Sequence, residues 1–165
     1  MTTVPNGTSP VESTTRPLPV TGQDINLAAR ATRKALELLL AEQGTSFPPL
    51  AVLNAIVSHG AALDRDAIVG VLANALDVDV QTVLTVVRGV EARGLVRQTV
   101  AEGDSKPRLE LTTVGTAEHQ RLTAIVGQLT SKLYSDFDPE DLATTRRVLV
   151  TLTERAEAHV TATLV

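Results

Sequence analysis

The feature that most constrains this chain is the stretch VEARGLVRQTVAEGDSKPRLELTTVG, residues 90–115. Residues 95–100 read as one strand, and RLEL at 108–111 alternates charged and apolar side chains, as a second strand with one buried face does. The polar residues 102–107 fit the loop of a hairpin between these strands. Helical patterns flank the hairpin on both sides, so the chain must pack a small antiparallel sheet among helices.

Apolar residues at helical spacing predict six helices around this hairpin. Four precede it: one from Asp24 to before Gly44, one after Pro48 and Pro49, one over residues 66–76 and one from after Asp79 to Gly94. Two follow it, a long helix from Thr113 and a last helix opened by Asp138 and Pro139. Asp24, Asp79 and Asp138 are the predicted amino-terminal caps. Gly89 lies inside the fourth helix, where glycine is unfavourable. We expect it to allow close packing against the third helix.

Composition excludes several kinds of chemistry. The 165 residues suit one domain, and 43% of them are apolar but only 2% aromatic, which favours an aliphatic, helical core. There is no cysteine, no phosphate loop, no nucleophile elbow and no paired-carboxylate motif, so we expect neither an enzyme nor a cofactor. The three histidines lack metal-ligand spacing, which argues against a metal site.

The ends of the chain and its location also follow from composition. Residues 1–22 are rich in Thr, Ser, Pro and Gly without apolar periodicity, so we expect a disordered tail. Neither a signal peptide nor an apolar run of roughly 20 residues is present, which predicts a cytoplasmic protein without membrane contact.

The order of helix, helix, strand, charged hairpin and strand is typical of a winged helix, whose second helix enters the DNA major groove. LANALDVDVQTVLTVVRGVEARGLVRQ, LELTTVGTAEH and FDPEDLATTRRVLVTLTERA, in this order and spacing, resemble the MarR family of bacterial transcriptional regulators. The resemblance runs from about Asp24 to Val160. It implies a mainly α fold with a small antiparallel β wing, built as a winged helix-turn-helix plus a long helical dimerisation domain.

The resemblance also implies a division of the chain and a function. Residues 48–112 would be the winged-helix DNA-binding region, and residues 23–47 with 113–165 the helical dimerisation region. The protein would bind a pseudo-palindromic operator as a homodimer, usually as a repressor, and a small-molecule effector would relieve it. Double-stranded DNA, a second copy of the chain and an effector are therefore the expected partners.

The predicted DNA-binding residues lie on the fourth helix and in the wing. Gln81, Thr85 and Arg88 share one helix face at i, i+4 and i+7, and Thr82 borders that face. The family's wing usually carries Asp followed by two Arg. Here Asp104, Ser105 and Lys106 stand at those places, with Arg108 close behind. The predicted set is Gln81, Thr82, Thr85, Arg88, Lys106 and Arg108.

Two features keep another reading open. Residues 79–112 carry five basic and five acidic side chains, so the module has no net charge to attract phosphates. Val80 and Leu84 occupy places that are usually polar in the family. The alternative is a winged-helix dimer that has lost strong DNA binding and contacts a partner protein through Val80 and Leu84, with Gln81 and Thr85 as a solvated face.

Three residues are candidates for effector binding. His59 follows the second helix and His119 lies on the fifth, where the resemblance implies a cleft, and Arg33 on the first helix could pair with an acidic effector. The alternative is that the histidines are surface or capping groups and that the arginine is salt-bridged at the surface.

Overall fold

The computed structural model describes residues 19–60, 62–100 and 106–163, and it divides into two compact units, one up to Ala35 and one from Leu36 onward. The helices are α1 (Gly22–Glu42), α2 (Phe47–Ser58), α3 (Arg65–Leu76), α4 (Val80–Ala92), α5 (Thr113–Tyr134) and α6 (Pro139–Thr163). The strands are β1 (Ala62–Asp64), β2 (Val96–Thr99) and β3 (Arg108–Leu111). The expected mainly α fold with a small antiparallel sheet is confirmed. Residues 1–18 of the predicted tail lie outside the described residues.

The first unit shows how α1 begins. The Asp24 carboxylate accepts hydrogen bonds from the backbone N–H (2.8 Å) and the hydroxyl (2.6 Å) of Thr21, and the Asp24 N–H donates to the Thr21 hydroxyl at 3.3 Å. This is a reciprocal capping box, in which Thr21 is the cap residue and Asp24 is the third residue of the helix. The prediction of Asp24 as the cap was therefore wrong by three residues, because a Thr at the end of the polar tail takes that place.

The core of the second unit surrounds α2. Six residues of this helix are buried on all sides of its axis: Leu50, Ala51, Val52, Leu53, Ala55 and Ile56. A helix that is apolar around its circumference must be covered on every side. Buried side chains of α3, α4 and the sheet cover most of it, among them Ile68, Leu72, Val83, Val87 and Leu109. A smaller cluster of Leu40, Leu50 and Leu122 packs the end of α1 and the middle of α5 against α2.

The sheet has three antiparallel strands in the order β1–β3–β2. The predicted hairpin is present, with Val96 opposite Leu111 and Thr99 opposite Arg108. β1 was not predicted, because three residues are too few for an alternating pattern. It pairs with the other edge of β3, with Leu63 opposite Leu109. β1 thereby ties the loop before α3 to the wing.

The start of α5 is locked to the end of α4 through Leu95. The Leu95 carbonyl accepts the backbone N–H of Thr112 at 3.0 Å, and the Thr112 hydroxyl donates to the carbonyl of Gly94 at 2.7 Å. That hydroxyl also accepts the N–H of Gly115 at 3.0 Å and so caps α5. A Cβ on Gly115 would collide with the Leu95 carbonyl oxygen and lie 2.8 Å from its carbonyl carbon. The backbones of Leu95 and Gly115 therefore cross so closely that only glycine fits at the last position of LTTVG.

The carboxyl-terminal helix differs from the rest of the second unit. The capping prediction for Asp138 is confirmed, since its carboxylate accepts the N–H of Glu140 at 2.7 Å. No described residue of α6 is buried, however, and its apolar side chains are exposed, among them Val148, Leu149, Val150, Leu152 and Val160. In the part of the chain that the structure describes, no single helix combines the length and apolar character of a membrane span. Taken together, α3 and α4 have this length and apolar character, but the pair is bent by 112°.

Candidate nucleic-acid interface

The helices α3 and α4 form a helix-turn-helix. They are bent by 112° at the turn Asp77–Val78–Asp79, an angle and a length typical of this motif. Asp77 adopts the left-handed conformation (φ 53°, ψ 50°), a place that glycine often fills, and aspartate tolerates it better than most residues. Val78 then turns inward and packs against the core. The sequence LDVD thus stops α3 and starts α4 without a glycine.

Asp79 caps α4, as the sequence predicts. Its carboxylate accepts the backbone N–H of Thr82 at 3.0 Å and the Thr82 hydroxyl at 2.8 Å. These hydrogen bonds, the backbone one first, favour the charged form and lower the pKa of Asp79 below its ordinary value. The carboxylate is therefore held at the helix terminus, where it fixes the first turn of α4.

One face of α4 is anchored in the core. Val83, Val87 and Val90 are buried, and Val86 is half-buried against the same core. Anchored in this way, the helix turns the opposite face to the surface. The exposed residues of that face include Gln81, Thr82, Thr85 and Arg88, so the four predicted residues of α4 do share an accessible surface.

The same surface is partly apolar. Val80 in the first turn is 49% exposed and Leu84, one turn later, is half-buried. Gly89 also lies on the surface of α4, and a Cβ there would meet open space. The prediction that Gly89 allows close packing against α3 was therefore wrong.

The two threonine hydroxyls of this face already donate hydrogen bonds. Thr82 donates to the carboxylate of Asp79 at 2.8 Å, and Thr85 donates to the backbone carbonyl of Gln81 at 2.9 Å. A hydroxyl has one proton and two lone pairs, so each side chain keeps an acceptor and a methyl group for any further contact. This feature could not be predicted from the spacing of the residues.

The two predicted cations of the wing lie just before and at the start of β3, the central strand of the sheet. Lys106 and Arg108 are exposed, and Arg108 stands opposite Asp64 of β1 and Thr99 of β2. Asp64 caps α3, and its pKa is lowered first by the backbone N–H of Asp66 and also by the charges of Lys106 and Arg108. The wing cations therefore lie beside the start of the helix-turn-helix. Asp104 and Ser105, which complete the predicted wing motif, lie outside the described residues.

Two further polar pairs of β2 were not predicted from the sequence. Arg97 and Glu110 form an exposed ion pair at 3.2 Å, and Gln98 donates to the carboxylate of Glu91 at 2.7 Å. An exposed pair of this kind contributes little to stability. Its effect is to neutralise the charge of Arg97 locally.

The three candidate effector residues have different surroundings. His59 is exposed at the end of α2, and its Nδ1 lies 2.8 Å from the carbonyl of Ala55, which can only accept, so Nδ1 carries the proton. The half-buried His119 has its Nε2 2.9 Å from Oδ1 of Asn54, joining α5 to α2. Arg33 is exposed on α1 in the first unit. His59 thus fits the capping alternative, whereas His119 links two helices.

One further link between helices was missed. Arg121 of α5 makes hydrogen bonds to Glu118 at 2.8 and 3.0 Å and to the side-chain oxygen of Gln43 at 2.7 Å. Gln43 is 78 residues away in the sequence, so no local pattern could have indicated this contact. Within the described ranges, no three His, Asp or Glu side chains cluster in a way that could hold a metal ion.

Comparison with solved structures identifies the architecture. A mutant of MarR from E. coli in complex with operator DNA is 21% identical, with a TM-score of 0.65 over 79% of this chain and 91% of that chain. The chain has the MarR fold. Transcriptional regulator PA3341 gives a TM-score of 0.72 at 23% identity, covering 83% of this chain and 98% of that one.

The MarR fold is shared with a ligand complex as well. The MarR family protein Rv2887 of Mycobacterium tuberculosis, solved with p-aminosalicylic acid, is 21% identical, with a TM-score of 0.65 over 82% of this chain and 99% of that chain. Comparison of the sequence with family models and with curated proteins gives no match. At these identities the likeness concerns the fold, and the function has to be argued from the chain's own residues.

Proposed function

We propose that this protein is a MarR-family transcriptional regulator that binds double-stranded DNA with α4 in the major groove. The observation that carries the proposal is the exposed face of α4, where Gln81, Thr85 and Arg88 project from a helix whose other face is anchored by buried valines. Lys106 and Arg108 stand beside the start of α3, where they can contact phosphates that flank the groove.

The protein acts as a homodimer in this proposal. The described residues leave most apolar side chains of α6 exposed, and a second copy of the same helix is the simplest partner for them. Residues 23–47 and 113–165 then form the dimerisation region and residues 48–112 the DNA-binding region. Two recognition helices held one helical turn apart would read a pseudo-palindromic operator and usually repress transcription.

A small-molecule effector would act on the spacing of the two winged helices. His119 is the better placed of the two candidate histidines, since its bond to Asn54 joins α5 of the dimerisation region to α2 of the winged region. A ligand that competes for this histidine would alter that link. The ligand complex of Rv2887 supports this only by analogy.

A second candidate function uses the same helix without DNA. The exposed Val80 and the adjacent Leu84 would suit an apolar contact with a partner protein. Ionic strength separates the two functions, because phosphate contacts weaken steeply with salt and an apolar interface does not.

Fluorescence anisotropy of the full chain tests the proposal, with DNA from upstream of its own gene and scrambled DNA as probes at low and physiological salt. We expect preferential, salt-sensitive binding to the first probe. Gln81→Ala should reduce the preference by about 1 to 3 kcal/mol for each base that the side chain no longer binds. Gln23→Ala, the same change at an exposed glutamine of the first unit, is the matched control and, with dimerisation shown to be intact, should leave the preference unchanged. Equal and negligible binding to both probes would refute DNA binding and direct the search to protein partners.

A further inference from the structure

We propose that α4 recognises A·T base pairs through the methyl groups of thymine, so that each operator half-site has adjacent A·T pairs at the centre of its contact with the helix. The inference rests on the proposed DNA binding and concerns which bases are read. Three properties of the exposed face of α4 support it, namely the position of its cation, the donors that are already used and the apolar residues of its first two turns.

The first property is the absence of a cation from the part of the helix that reads bases. Residues 80–87, VQTVLTVV, contain no Arg or Lys, and Arg88 comes first in the third turn. At 1.5 Å per residue, Arg88 lies about 12 Å along the helix from Val80. The commonest specific contact to guanine is a bidentate Arg or Lys on its N7 and O6. The first two turns of α4 cannot make that contact.

The second property is the hydrogen bonding of the threonines. The protons of Thr82 and Thr85 are donated to Asp79 and to the Gln81 carbonyl, so neither hydroxyl offers a proton to guanine. Each can still accept from the amino group of adenine or cytosine, and each presents a methyl group. Gln81 is the one remaining side-chain donor in these turns, and its amide matches N6 and N7 of adenine.

The third property is the apolar row beside Gln81. Val80 and Leu84 are neighbours at i and i+4, and Val80 is 49% exposed in the first turn, where recognition helices contact bases. The thymine methyl is the only apolar group that the major groove presents. The row of Val80 and Leu84 therefore fits the methyl group of a thymine next to the adenine that Gln81 binds. In this proposal the two apolar residues of the recognition helix select A·T pairs.

Selection from a random duplex library with the full-length protein tests the inference. We expect enriched half-sites with adjacent A·T pairs at their centres. Enrichment of G·C pairs at these positions would overturn the methyl-reading inference and leave the proposed function intact. If no sequence is enriched, both fail, so the two failures are distinguishable.

Removal of the methyl group gives a sharper test. Replacing the central thymines of the selected site by deoxyuridine changes only the 5-methyl group, and we expect about a fourfold loss of affinity for each methyl that the helix covers. Val80→Ala should reduce that loss. Val20→Ala, which shortens an exposed valine outside both the proposed DNA-binding and dimerisation regions, is the matched control and should keep the loss of affinity. Equal affinity for the two DNAs, or the same loss in the wild type and in Val80→Ala, would contradict the assignment of Val80.

Discussion

The helices α4 and α6 both carry Val and Leu at helical spacing, yet the structure uses them differently. α4 buries Val83, Val87 and Val90 against α2, α3 and the sheet of its own chain. α6 buries none of its described residues and leaves Val148 60% and Leu152 46% exposed. The comparison shows that periodicity identifies an apolar stripe but does not say what covers it. The stripe of α4 is covered by the rest of the second unit, and the stripe of α6 is left exposed by the residues that the structure describes.

The largest expected effect is on the proposed partner surface of α6. Leu149→Asp with Leu152→Asp removes two leucines that are each less than half exposed, which corresponds to about 1 kcal/mol per side chain. A twofold pair contains both leucines twice, so the dimer should weaken by about 4 kcal/mol, roughly a thousandfold in Kd. Analytical ultracentrifugation over a range of concentrations measures this change.

The opposite face of α6 offers a matched control. Thr151 and Ala158 are exposed, and the helical repeat places them about 180° from Leu149. Changing both to Asp adds the same charge to the same helix and should leave the Kd of the dimer unchanged. If the two double variants dimerise equally, the apolar stripe of α6 is not the dimer surface, and the contrast with α4 would need another explanation.

The second largest effect should come from within the protomer. Gly115→Ala places a methyl group against the backbone of Leu95, where neither partner is a flexible side chain that can move aside. We expect a loss of about 3 kcal/mol in the free energy of unfolding. Gly127→Ala is the control on the same helix, since its Cβ would meet open space, and it should be neutral or stabilising. Urea unfolding followed by circular dichroism compares them, and equal midpoints would contradict the crossing of Leu95 and Gly115.

Most of the fold follows from local patterns in the sequence. The helices, the hairpin and the caps Asp79 and Asp138 are predicted because periodicity and capping depend on residues a few positions apart. β1 is missed because three residues leave no pattern, and its pairing with β3 spans more than 40 positions. Asp24 is misassigned because an Asp and the Thr three residues before it are both plausible caps until the hydrogen bonds are seen.

The candidate site is less predictable than the fold. Spacing does place Gln81, Thr85 and Arg88 on one exposed face. It cannot show that the hydroxyl of Thr85 donates to the helix itself, because a threonine can rotate toward either the backbone or the groove. The bond between His119 and Asn54 joins residues 65 positions apart, and only the packing of α5 on α2 brings them together.

A smaller and opposite effect is expected at Gly89. This glycine lies on the surface of α4 and has no neighbour that a Cβ would meet, so Gly89→Ala should stabilise the protein by about 0.5 to 1 kcal/mol. Gly94 ends the same helix and also has open space, but its φ of +69° disfavours any other residue. Gly94→Ala should therefore destabilise. Thermal unfolding of both variants checks the signs, and a destabilising Gly89→Ala would mean that the third turn of α4 is not as open as the structure has it.

The smallest effect concerns the carboxylate that caps α4. The pKa of Asp79 is below its ordinary value of 3.8 in the folded protein, so the unfolded chain binds this proton more readily. The stabilisation from this group is complete above pH 3.8 and is lost as the pH falls through the lower, folded pKa. Asp79→Asn keeps an acceptor that does not titrate there, and its stability relative to the wild type should rise as the solution is acidified below that value. The hydroxyl cap of α5, Thr112, provides the internal reference because it has no charge to lose. Amide exchange protection at Thr82 should therefore fall in acid more than at Gly115, and parallel losses at the two amides would mean that the acid sensitivity lies elsewhere.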